Sequence, residues 1–141
     1  MNAPLYTVEI LRLAASLPAP AALERVDGVA ERRSPTCGSK VRTEVAVDGE
    51  GRVVALSQTV QACAFGQASA SLVAAHGVGR SGEDMAQAVE SLRDWLAGKR
   101  EDGGQWPAIQ SLAPARSRTG RHGAIVLPFE TLLDAIKAAR A

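Results

Sequence analysis

A chain of 141 residues with 46% hydrophobic and 22% charged residues is long enough to bury one core without a disulfide or metal to hold it together. Its formal net charge of +1 provides no strong field for nucleic acid or an anionic bilayer, and no window approaches the length of a membrane span, so both partner classes are disfavoured. Pro4 and Glu9 interrupt the N-terminal apolar residues and argue against a signal peptide. With two cysteines and no export signal, the reading is one domain over 1–141 in a reducing cytoplasm, where metal or sulfur chemistry suits the cysteines better than a bridge.

In chain order, Leu5, Val8, Ile10, Leu11, Leu13 and Leu17 recur near helical spacing until Pro18 and Pro20 stop them, which predicts an N-terminal amphipathic helix. Leu23 to Arg33 reads as an edge strand. The stretch from Pro35 to Val73 then predicts a β-hairpin: alternating residues to Val47, the turn Asp48-Gly49-Glu50-Gly51, and a second alternating run ending at Cys63. Partners across such a hairpin have numbers that sum to about 100, as Cys37 and Cys63 do. Strand one places Val41, Val45 and Val47 on odd positions and strand two places Val54, Leu56 and Val60 on even ones, which favours a sum of 101 or a bulge. Either register leaves the two thiols as neighbours at the open end.

Gly66 to Ala75 has the small-residue composition of a tightly packed helix, so Cys63 sits just before a helix start. That position carries the positive end of the helix dipole and suits sulfur or metal chemistry, although a free cysteine is as often a small buried apolar residue. His76 ends this helix and reads as a dipole-compatible C-terminal residue, not a ligand. Ser81-Gly82-Glu83-Asp84 opens the next helix, whose apolar stripe is Met85, Val89, Leu92 and Leu96 and which stops at Gly98. Trp106 to Leu112 predicts a short helix docked by the tryptophan, followed by a loop from Ala113 to Gly120. A final helix carries Ile125, Leu127, Phe129, Leu132, Leu133 and Ile136, with Pro128 either kinking it or marking where it becomes regular. The whole is an α+β fold: a three-stranded antiparallel sheet with an N-terminal helix and four to five further helices packed on it.

Several stretches together resemble the U-type iron-sulfur cluster scaffold family, and its SufU-like branch in particular. Leu5-Tyr6-Thr7-Val8-Glu9-Ile10-Leu11 is similar to the family's N-terminal helix, Pro35-Thr36-Cys37-Gly38 to its first metal motif, and Ala62-Cys63 with Ala68-Ser69-Ala70-Ser71 to its second. Leu96-Ala97-Gly98-Lys99 through Ile109 and the closing Leu127-Pro128-Phe129 also look like that branch. The resemblance implies that Cys37 and Cys63 are metal ligands and sulfur acceptors holding iron or a transient iron-sulfur cluster, or else a zinc ion. Its implied partners are a cysteine desulfurase and cluster acceptor proteins.

Two departures stand out. Ser39 replaces the family's aspartate ligand, and the third cysteine is missing: its place falls on Ala124 in one alignment and on Gly123 in another, the second making His122 the best surviving third ligand. A symmetric homodimer could supply two more cysteines. Arg116, Arg118 and Arg121 form either a docking surface for a sulfur donor or a solvated loop.

Two functions follow from the resemblance. One is a scaffold or sulfur acceptor that carries its cargo without catalysing a reaction. The other is a degenerate, metal-free member that binds and regulates the desulfurase or another scaffold. A thiol hydrolase ranks below both, since there is no Cys-x-x-Cys, spaced triad or Gly-rich phosphate loop.

Overall fold

The computed structural model describes residues 6–35 and 38–140. Helix α1 (Val8–Ala15) starts where Thr7 Oγ1 accepts the backbone N–H of Ile10 at 3.1 Å. It is shorter than the apolar spacing suggests. Ile10 is fully buried, while Val8 and Leu11 face solvent, so α1 buries only a narrow stripe.

Strands β1 (Gly28–Arg33), β2 (Lys40–Val47) and β3 (Val53–Gln61) form one antiparallel sheet in the order β1-β2-β3. The predicted first strand is confined to its second half, and Val26 stays outside it, exposed. Between β2 and β3 the pairs run from Lys40–Gln61 to Ala46–Ala55, a constant sum of 101, and a bulge at Ala46/Val47 then pairs Val47 with Val53. The turn behind the bulge is held by Asp48, whose Oδ1 accepts from the backbone N–H groups of Glu50 and Arg52 at 2.9 and 3.0 Å. The extra residue reverses the face of the strand start: Val53 is buried and Val54 is 49% exposed, contrary to the even-numbered apolar face expected.

After the sheet come α2 (Ala64–His76), α3 (Gly82–Leu96), a 3-10 segment (Ile109–Ser117), a 3-10 turn (Thr119–Arg121) and α4 (His122–Ala139). The α+β layout with helices packed on an antiparallel sheet is therefore as expected. The expected loop from Ala113 to Gly120 is not: these residues lie largely within the two 3-10 elements, because Ile109, Leu112 and Ala115 recur every three residues and are all buried. Pro128 lies inside α4 and does not mark its start. Lacking an N–H, it cannot donate to the carbonyl of Ala124 one turn back.

The core is a single cluster in which Ile10, Val45, Phe65, Leu72, Leu92, Trp95, Phe129 and Ile136 meet. Helix α4 lies so close to β1 that a Cβ on Gly28 would fall 2.1 Å from the carbonyl oxygen of Ala135, so only glycine fits there. On the outer face of the sheet Arg42 pairs with Glu44, and the strap that follows α1 is tied down where Ala21 N–H donates to Ser57 Oγ at 3.0 Å. No described helix is long and apolar enough to cross a membrane.

Candidate metal and sulfur site

The hairpin register brings the end of β3 to the start of β2, and Cys63 follows two residues after Gln61, at the open end of the ribbon. Cys63 is the N-cap of α2, with extended backbone (φ −66°, ψ 173°), and its thiol makes no capping hydrogen bond. It is half-buried against the core. Its carbonyl accepts Gln67 N–H at 2.9 Å, and the Gln67 side-chain amide donates back to Ala62 O at 3.0 Å, so the turn carrying the sulfur is fixed from both sides.

Cys37, the other expected ligand, lies outside the described residues. Among the described residues nearby, Ser34 N–H donates to Ser39 O at 2.8 Å, and Gly38 has a φ of +71°, which favours glycine. Ser39 is only 3% exposed.

The first turns of α2 and α4 touch. A Cβ on Gly66 would meet Ala62 Cβ at 2.6 Å and the carbonyl oxygen and Cβ of Ala124 at 3.3 and 3.5 Å. Deeper in the same interface Ser69 Oγ donates to Ile125 O. Ala124, one of the two places expected for a third cysteine, is thus 1% exposed and packed on the helix that Cys63 begins. Gly123, the other, is exposed and lines a groove with Arg93, Leu96, His122 and Val126.

His122 is the first residue of α4. Its Nε2 lies 3.1 Å from Ala115 O and 3.0 Å from Arg116 O, and since carbonyls only accept, Nε2 is the donor to both. His76 is placed elsewhere, its ring edge-on to Trp106 at 6.5 Å. Among the described residues no three His, Cys, Asp or Glu side chains converge as a metal-binding group, so no zinc site is built from them.

The three arginines differ in their surroundings. Arg116 is half-buried: its Nε donates to Trp95 O at 3.0 Å and its guanidinium lies 5.4 Å from the centre of the Trp95 ring. It fastens the 3-10 segment to α3, which corrects the reading of Arg116 as part of a solvated loop. Arg118 is exposed and Arg121 half-buried. Sequence reasoning missed Gly66, although a glycine three residues after Cys63, in the first turn of a helix, signals a close approach.

No family model matches the chain, and no curated protein matches it. Among solved structures it is similar to a nitrogen-fixing NifU-like protein (N-terminal) from Brucella abortus, with 27% identity and a TM-score of 0.87 over 96% of this chain and 94% of that one. It also shares its fold with a putative iron-sulfur cluster assembly scaffold protein for the SUF system from Fervidobacterium islandicum AW-1, at 20% identity and a TM-score of 0.83, covering 94% and 96% of the two chains. The α+β fold, a three-stranded antiparallel sheet with helices packed on it, is the one these NifU-like and SufU structures have. Set against the U-type scaffold pattern, this chain has Ser39 where the aspartate is expected and no third cysteine.

Proposed function

We propose that the chain is an iron-sulfur cluster assembly protein that receives sulfur, or holds iron or a nascent cluster, on Cys63 together with Cys37. The observation that supports this most is the likeness to the NifU-like structure along almost the whole chain, with Cys63 at the uncapped start of α2. Lys40, three residues after Cys37 in the sequence, pairs with Gln61, two residues before Cys63.

In sulfur transfer, the Cys63 thiolate attacks the outer sulfur of a persulfide on a desulfurase cysteine. A new S–S bond forms on Cys63 as the donor's S–S bond breaks, and the donor leaves as a thiolate, so no outside oxidant or reductant is needed. The test is anaerobic incubation with ferrous iron, cysteine and a cysteine desulfurase. Visible charge-transfer absorption and a persulfide on Cys63 by mass spectrometry are expected, both lost in Cys63→Ser; their absence in the wild-type protein overturns the proposal.

A second reading is a metal-free member that regulates a desulfurase or another scaffold, and the fully packed Ala124 favours it. Two thiols and one imidazole nitrogen fall short of the four ligands such metals usually take. That reading expects altered desulfurase turnover with no bound metal, and stoichiometric iron or zinc in the purified protein would end it.

A further inference from the structure

Away from Cys63, a cleft of about 380 Å³ opens between the first half of α3 and the turn at residues 101–106. The turn is pressed onto α3 at two glycines. A Cβ on Gly103 would fall 2.9 Å from Ile109 Cγ2 and 3.0 Å from Trp95 Cε3, and one on Gly104, where φ is +98°, 2.7 Å from Ser91 Cβ. Trp106 forms the inner wall and is fixed there: its Nε1–H donates to Leu72 O at 3.1 Å, and its ring stands edge-on to Phe129 at 4.9 Å.

Arg80 lies across this wall with its guanidinium carbon 4.4 Å from the centre of the Trp106 ring. Its Nε donates to His76 O at 2.9 Å, and among the described residues neither of its terminal nitrogens has a hydrogen-bond partner. Stacking and the Nε bond fix the plane of the fork and leave its outer edge unused. Arg100 lines the same cleft, donating to Ser91 Oγ at 3.0 Å and to Asp102 at 2.9 Å; with its oxygen accepting, the Ser91 hydroxyl keeps a proton to donate. One carboxylate, Asp84, also lines the cleft. Its Oδ2 is taken by Ser81 N–H at 3.0 Å and by Arg52 at 3.3 Å, so it does not neutralise the Arg80 fork by direct contact.

We propose that this cleft binds a small oxyanion, the carboxylate or phosphate group of a low-molecular-weight ligand, through the terminal nitrogens of Arg80, with Arg100 and Ser91 on the far side. A planar fork with two parallel N–H donors matches two oxygens of such a group, and its fixed plane reduces the ordering cost of binding.

The test titrates the full-length protein at low ionic strength with pyrophosphate and, separately, with citrate, followed by calorimetry. Saturable one-to-one binding of at least one is expected; pyrophosphate alone assigns a phosphate ligand and citrate alone a carboxylate. Binding should fall at least tenfold in Arg80→Lys, which keeps the charge but not the fork, and several-fold in Arg100→Gln, with both variants checked for folding by circular dichroism. It should not change in Arg12→Ala, an exposed cation on α1. No saturable binding, or equal losses in Arg12→Ala and Arg80→Lys, overturns the proposal.

Discussion

Ala124 shows how much one side chain decides. It packs on Gly66 in the first turn of the helix that Cys63 begins, so a thiol placed there would lie beside that turn. Ala124→Cys should therefore raise the metal retained per chain after purification without air, by elemental analysis, while overpacking a filled spot costs about 1 kcal/mol of stability in urea denaturation. Unchanged metal content in a folded variant would mean that the site lacks more than a ligand. Sequence alone could locate Ala124 only through a resemblance and left Gly123 equally open, because neither residue has a side chain whose chemistry points to a site.

At the scale of elements, caps and register carry the architecture. Ser81 and Asp84 form a reciprocal capping box at the start of α3, with Asp84 N–H donating to Ser81 Oγ at 3.1 Å and Asp84 accepting the Ser81 N–H. The Ser81 N–H, more than any other contact, holds the Asp84 carboxyl below its ordinary value; burial opposes this, and the Ser81 hydroxyl, Arg52 and Arg80 add to it. A lowered value in the folded state gives stability that is fully present above the unfolded value near pH 4 and is lost as the pH falls through the lowered one. Asp84→Ala should thus lower the urea midpoint at neutral pH, and its difference from the wild-type protein should shrink as the pH falls below about 4. A difference that stays constant to low pH would show that the charge has no part in the cap.

The same scale shows what the sequence made legible. Ser81-Gly82-Glu83-Asp84 marked α3, the small residues after Cys63 marked α2, and matching Val41, Val45 and Val47 to the even-numbered set favoured a sum of 101 or a bulge; both occur. Val54 escaped because a bulge is a backbone event that no side-chain alternation records. The 3-10 segment escaped because Pro114 and the serines and arginines around it read as a loop, while its three-residue burial depends on tertiary packing.

Across the whole molecule, one ionic network joins three elements. Glu130 on α4 accepts from Arg32 on β1 at 2.8 Å and also pairs with Arg93 on α3, and Arg32 continues to Asp134. Glu130→Ala should cost on the order of 1 kcal/mol in urea at low salt and less at high salt, since both arginines are substantially exposed and screened. A loss indifferent to salt would assign the effect to packing and not to charge.

The contact between Gly66 and Ala124 has a mechanical consequence. No room is left for a side chain at Gly66, so any substitution there would have to push apart the start of α4 and the first turn of α2, whose N-cap is Cys63.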